Sequence, residues 1–209
     1  MKKKVLLGLM LCSWALVSVA QIPPISHIDA NNVRGVVLGD GTAFLNWPEN
    51  NGSLLPNPCP TWEVPAGSGK TTLFQKALWI GATDMESQLH LAAMRYGQGA
   101  NVMGGGQDFW SGPLINDYGS TDMMTVLKYH HIWDITRSEI EQFKTNFSNP
   151  SYQIPDDILT WPAHGEGDNA PDMAPFVDVN GDGRYNPVYG DYANIQGDHC
   201  LFFIFNDNY

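Results

Sequence analysis

Leu73-Phe74-Gln75-Lys76-Ala77-Leu78-Trp79-Ile80, then Asp84-Met85-Glu86-Ser87, then Gln88-Leu89-His90-Leu91-Ala92-Ala93-Met94: these two apolar-rich runs around a polar turn decide the fold class of the chain. Runs of this length, bounded by turn residues, read as strands, and their closeness makes a hairpin the economical pairing. A helix over residues 89–96 is the alternative for the second run. Upstream the pattern repeats. Val33-Arg34-Gly35-Val36-Val37-Leu38 and Thr42-Ala43-Phe44-Leu45-Asn46-Trp47 flank Gly39-Asp40-Gly41, a turn that tolerates positive φ, which predicts another hairpin.

Between and around these runs the chain is punctuated. Residues 21–32 form a polar lead with Pro23-Pro24, and residues 48–60 carry four prolines and three asparagines and read as loop. Residues 97–125, with Gly104-Gly105-Gly106, have no period and predict a long surface loop. Residues 126–135 predict a strand. Thr136-Arg137-Ser138-Glu139 has the spacing of a capping box, and Ile140, Phe143 and Phe147 follow on one helical face. A short helical turn starts at Pro155-Asp156-Asp157-Ile158, residues 161–175 read as loop, and residues 199–205 as a buried strand. Together these predict a mainly β fold. It is an antiparallel sandwich-like single domain over residues 21–209, with one short helix and long Gly/Pro-rich loops. The sequence stops at Asn206-Asp207-Asn208-Tyr209, directly after its most hydrophobic strand, and so reads as the front part of a longer protein, the domain incomplete at its C-terminus.

Residues 1–20 read as a signal peptide. Met1-Lys2-Lys3-Lys4 is a basic start, the apolar run from Val5 to Ala20 is too short to span a bilayer comfortably, and Ser18-Val19-Ala20 supplies the small residues a signal peptidase reads. Cys12 lacks the small residues before it that a lipoprotein signal would show. Cleavage after Ala20 removes three lysines, leaving 8 Lys+Arg against 22 Asp+Glu, a net charge of −14 where the whole chain has −11. Such a chain repels nucleic acid and anionic lipid and accommodates hard cations. No later stretch is apolar enough to span a membrane. Apolar residues at 43% and aromatics at 11% exclude a disordered chain. Cys59 and Cys200 survive cleavage; paired in an oxidising compartment they would add ~4–5 kcal/mol in the chain-entropy model, and two separate thiols are the alternative.

The sharpest motif is Asp178-Val179-Asn180-Gly181-Asp182-Gly183-Arg184. Side-chain oxygens at alternate positions, a glycine for the reversal and the carbonyl of Arg184 match the first half of a calcium loop, because calcium takes six to eight oxygens at ~2.3–2.6 Å. The second half departs from the EF-hand pattern: Tyr189 stands where a bidentate carboxylate belongs. Asp191 is the nearest substitute, with Asp198 behind it, and Pro175 and Pro187 argue against flanking helices. The predicted site is therefore a structural, non-EF-hand calcium loop at 178–191, with Asp178, Asn180, Asp182, Arg184 and Asp191 as its ligands. A metal-free Asn-Gly-Asp-Gly turn held by side-chain to backbone bonds is the alternative.

Other signals are weaker. Pro65-Ala66-Gly67-Ser68-Gly69-Lys70-Thr71 resembles a phosphate loop, but Val64 stands where the first glycine is needed, so a turn into the next strand accounts for it better. His130 and His131, adjacent in a predicted strand, point to opposite faces and do not chelate one ion, and a zinc site with His164 and His199 needs a coincidence of the fold. Glu166 with Asp168, and Asp156 with Asp157, are available carboxylate pairs, read as loop charge and a helix N-terminus. Six tryptophans follow the leader; if Trp110 and Trp161 line an open cleft beside carboxylates, glycan binding or hydrolysis gains, and if they are buried it fails.

Several blocks occur in a fixed order: Glu63-Val64-Pro65-Ala66-Gly67-Ser68-Gly69-Lys70, Ala77-Leu78-Trp79-Ile80-Gly81, Asp108-Phe109-Trp110-Ser111-Gly112-Pro113, Trp161-Pro162-Ala163-His164-Gly165, Phe176-Val177-Asp178-Val179-Asn180-Gly181-Asp182-Gly183, Gly190-Asp191-Tyr192 and Gly197-Asp198. This set resembles the N-terminal region of large, mostly uncharacterised secreted proteins of the Bacteroidota. Those proteins are typically exported by the type IX secretion system and carry a C-terminal sorting domain. The resemblance implies export across two membranes, a secreted or outer-cell-surface location, and contact with the secretion machinery through regions beyond this chain. It carries over no catalytic residue. The expectation is a non-catalytic scaffold or adhesion module with a glycan or surface partner; a carbohydrate-binding or glycan-hydrolysing protein is the rival.

Overall fold

Short runs of β-branched and aromatic residues between Gly, Pro and Asn turns dictate short strands and local, antiparallel pairing. The computed structural model describes residues 23–46, 59–60, 62–94, 108–115, 119–167 and 169–207. The leader at residues 1–20, Trp47, most of the 48–60 loop, the Gly104-Gly105-Gly106 run, Asp168 and Tyr209 lie outside them.

Among the described residues the fold is mainly β. In chain order the strands are β1 (Ile25–Ile28), β2 (Gly35–Leu38), β3 (Leu45–Asn46), β4 (Cys59–Pro60), β5 (Trp62–Glu63), β6 (Thr71–Leu73), β7 (Trp79–Thr83), β8 (Leu89–Ala93) and β9 (Trp110–Ser111). They continue with β10 (Trp133–Thr136), β11 (Phe176–Val177), β12 (Tyr192–Ala193), β13 (His199–Phe202) and β14 (Phe205–Asn206). All pair antiparallel in two-stranded ladders: β1–β2, β3–β4, β5–β6, β7–β8, β9–β14, β10–β13 and β11–β12. Three helices accompany them: α1 (Met123–Lys128), α2 (Arg137–Asn146) and α3 (Asp156–Leu159).

A hairpin forms around Asp84-Met85-Glu86-Ser87, with Trp79↔Ala93 and Thr83↔Leu89 at its ends and Asp84 accepting the N–H groups of Glu86 and Gln88 in its turn. Its first arm is β7, and residues 74–78 of the expected strand 73–80 lie in no strand. The upstream hairpin also closes around Gly39-Asp40-Gly41, through Leu38 N–H to Thr42 O at 2.8 Å and Phe44 N–H to Val36 O at 2.8 Å. Asp40 fixes the turn by accepting the Thr42 N–H at 2.9 Å. The phosphate-loop lookalike is the turn between β5 and β6, where Glu63 accepts the Gly67 N–H; a strand follows it.

Several segments differ from expectation. The surface loop expected over residues 97–125 contains β9, the buried Phe109 and Ser111, and the start of α1. The polar lead contains β1, because Ile25 and Ile28 give it enough apolar surface to pair along β2 in full register. The strand expected over residues 126–135 begins as helix α1, then turns and becomes β10. Asp122, whose carboxylate accepts the Thr125 N–H at 2.8 Å, starts that helix, and its cap outweighs the strand propensity of Thr125 and Val126. Helix α2 matches the sequence closely. Thr136 and Glu139 make the reciprocal capping box, and Ile140 and Phe143 are buried.

The main core lies around α2. Phe143 has no exposed surface and packs with Ile140, Trp133, Ile135, Ile158, Trp161, Ala193 and Ile195. Burying a phenylalanine side chain contributes ~1.5–3 kcal/mol, so this cluster anchors α2, α3 and β10 to the β11–β12 ladder. The β7–β8 hairpin is the opposite case: Trp79 is 76% exposed, and Ile80, Leu89 and Leu91 are exposed as well. No helix among the described residues is long and apolar enough to cross a membrane.

Candidate functional site

The 178–191 segment leaves the body of the protein from β11 and returns through β12, and the Phe176↔Ala193 and Val177↔Tyr192 pairs form its base. A strand precedes it, and a single 3-10 turn at Pro187–Tyr189 precedes its return, so the helix–loop–helix frame of an EF-hand is absent, as the flanking prolines predict. Pro187 starts that turn, and Asn186 caps it by accepting the Val188 N–H at 3.1 Å. Gly190 ends it at φ 100°, with Phe147 of α2 so near that a Cβ would lie 3.0 Å from its ring. Only glycine satisfies both the left-handed backbone and that approach.

Within the loop, Asp178 Oδ1 accepts the Gly181 N–H at 2.7 Å and Oδ2 accepts the Gly183 N–H at 2.7 Å. Gly181 and Gly183 both have positive φ, which turns these amides inward. The Gly183 amide, assisted by that of Gly181, holds the Asp178 carboxyl below its ordinary value, so the group is an anion at neutral pH. Asn180 Oδ1 accepts the Asp182 N–H at 3.1 Å, Asp182 Oδ1 accepts the Arg184 N–H at 2.8 Å, and Asn180 Nδ2 donates to Asp182 Oδ2 at 3.0 Å. Asp178, Asn180 and Asp182 are thus gathered on one exposed tight loop, with oxygens that suit a hard cation.

Asp191 differs from these three in its burial. It is 0% exposed, its Oδ1 accepts the Val179 N–H at 2.9 Å, and its Oδ2 accepts the Asn186 N–H at 2.8 Å. Next to it, the Tyr185 N–H donates to His164 Nε2 at 3.1 Å, which places the imidazole proton on Nδ1, facing Pro171 O at 3.2 Å. The Tyr185 hydroxyl donates to Ile158 O, and burial, with the Asp191 carboxylate nearby, pushes its phenol well above the ordinary value. Phe176 packs edge-on against both His164 and Tyr185. Neither His164 nor Tyr185 is legible as a loop anchor in the sequence, since they stand 21 residues apart with no motif between them.

A cleft of about 590 Å³ lies beside this region, and Tyr129, His130, His131, Trp161, Asp156 and Glu166 are among its lining residues. Trp161 is buried in its floor and donates its indole N–H to Pro175 O at 3.1 Å, and Trp133, also buried, donates to Thr160 O at 2.9 Å. Trp110 is on β9 and does not line the cleft. The two tryptophans at this cleft therefore offer no open face for sugar stacking, whereas Trp79 on β7 is exposed away from it.

His131 and His199 are held by different carboxylates, while His130, His131 and His164 all line the cleft. His131 pairs with Asp157 at 2.6 Å, whose other oxygen accepts the Asp134 N–H at 3.0 Å, and His199 pairs with Asp134 at 2.6 Å. Ser26 of β1 also donates to Asp134, at 2.7 Å, which ties β1 to β10. Asp156 and Asp157 occupy the first turn of α3, and Glu166 pairs with Lys128. Among the described residues, no group of three or more His, Cys, Asp or Glu side chains converges as a metal cluster. Cys200 is a free, half-buried thiol whose pKa is pushed up by burial and then by Asp134, and the Cys59 side chain lies outside the described residues. No protein-family model, no curated protein and no solved structure matches this chain.

Proposed function

We propose that this chain is a calcium-stabilised, non-catalytic module of a secreted or cell-surface protein, serving a scaffold or adhesion role. One observation carries the calcium reading: Asp178, Asn180 and Asp182 stand at alternate positions of a tight, exposed loop, with the Asp178 carboxylate held as an anion by the loop's own amides. With the Arg184 carbonyl they supply four oxygen donors to a cation that coordinates through oxygen, and water completes the shell. The location rests on the leader at residues 1–20 and on the resemblance to exported Bacteroidota proteins.

The non-catalytic reading draws support from how the polar groups of β10, β13, α3 and their neighbours are engaged. His131, His199, Asp134 and Asp157 pair with one another, and the Trp133 and Trp161 N–H groups bond to backbone. These contacts hold β1, β10, β13 and α3 together. The glycan alternative requires Trp110 and Trp161 to line an open cleft; Trp161 is buried, and Trp110 does not line the cleft.

Thermal melts in calcium and in chelator test the proposal. Calcium at a hundred times its dissociation constant stabilises by about 2.7 kcal/mol, which raises Tm by about 5–10 °C in a chain of this size. Asp178→Ala combined with Asp182→Ala removes the increment. Equal melts of the unmutated protein in the two buffers refute calcium binding.

A further inference from the structure

We infer that Asp191 is the clamp of the 178–191 loop, not one of its calcium ligands, and that the loop is built before an ion arrives. The first part stands without calcium; the second rests on the calcium reading above. Asp178 and Asp191 are both close to the loop, but they are placed differently. Asp178 is only half-buried, and its amide partners, Gly181 and Gly183, belong to the exposed loop itself. Asp191 is fully buried, and its partners lie at the two sides of the loop's neck: Val179 on the way out and Asn186 on the way back.

One carboxylate therefore bridges two chain segments that would otherwise diverge. Both oxygens already accept one amide each, at 2.9 and 2.8 Å, and charge-assisted bonds of this kind are among the stronger ones in a protein. The Asp191 N–H returns to Asn186 O at 3.4 Å, and Tyr185 adds bonds to His164 Nε2 and Ile158 O. Residues 179, 185 and 186 are thus tied to the body of the protein by the chain's own groups. The sequence puts Asp191 near the position of the missing EF-hand carboxylate; the fold gives that carboxylate a different task.

The test is a melt of the protein and two variants, each in calcium and in chelator. Asp191→Asn replaces one acceptor oxygen by an NH₂ group that faces an N–H. It should lower Tm by about 4–8 °C, equally in the two buffers. The calcium increment should survive in Asp191→Asn and vanish in the Asp178→Ala, Asp182→Ala double variant. If Asp191→Asn abolishes the increment and leaves the chelator melt unchanged, Asp191 is a ligand and the inference falls. If the unmutated protein shows no calcium increment, the calcium reading fails, and the chelator arm alone decides the clamp. Should Asp191→Asn not fold, hydrogen exchange on the unmutated protein in chelator replaces it. The Val179 and Asn186 amides should exchange at least about a hundredfold slower than in an unstructured peptide, and unprotected rates overturn the clamp.

Discussion

Replacing His164 by phenylalanine isolates one strut of the loop. A planar ring still faces Phe176 edge-on, while the Nε2 acceptor for the Tyr185 N–H and the Nδ1 donor to Pro171 O both disappear. A part-buried amide left without a partner costs about 1–3 kcal/mol. The His164 side chain is 32% exposed, so water partly replaces the lost acceptor and the lower half of that range, about 1–2 kcal/mol, is expected. In a chain of this size that lowers Tm by about 2–8 °C. Urea unfolding followed by tryptophan fluorescence measures the loss, and the exchange rate of the Tyr185 amide reports the bond itself. A variant as stable as the parent, with the Tyr185 amide still protected, would refute the claim that His164 holds the loop.

Further outcomes follow from other contacts. Thr136→Ala breaks the capping box of α2 and should cost about 0.5–2 kcal/mol in urea unfolding. Asp40 is buried, and desolvation raises its carboxyl pKa above the ordinary value in spite of the Thr42 amide. A raised carboxyl favours folding at low pH and loses that contribution as pH rises through the folded value, so Asp40→Asn should raise Tm at neutral pH. Asp178 has the opposite sign: its lowered value gives stability above the ordinary 3.8 that disappears as pH falls through the folded value. In chelator, the acid side of a stability–pH curve should therefore be flatter for Asp178→Ala than for the parent.

The sequence was most informative where one local pattern has one local solution. Thr136 and Glu139 sit three apart before an apolar face, and α2 begins where they say. The β7–β8 hairpin and the turn at Gly39-Asp40-Gly41 were legible for the same reason: the residues that pair are close along the chain. Helix α1 was not, because six residues give too little periodicity to outweigh the β-branched Thr125 and Val126, and only the Asp122 cap distinguishes it. The long-range ladders β9–β14 and β10–β13 join residues far apart in the chain, and no spacing rule encodes them. At the site, the alternate oxygens of Asp178, Asn180 and Asp182 were read directly. The burial of Asp191 and the support from His164 through Tyr185 depend on packing between distant segments.

The central claim, a calcium ion held by the Asp178–Arg184 loop, is tested most directly by titrating calcium into chelator-stripped protein in a calorimeter. The account predicts a saturable single-site isotherm that disappears in the Asp178→Ala, Asp182→Ala double variant. Absence of binding heat at several temperatures, with no change in the tyrosine and tryptophan signal on adding calcium, would contradict it.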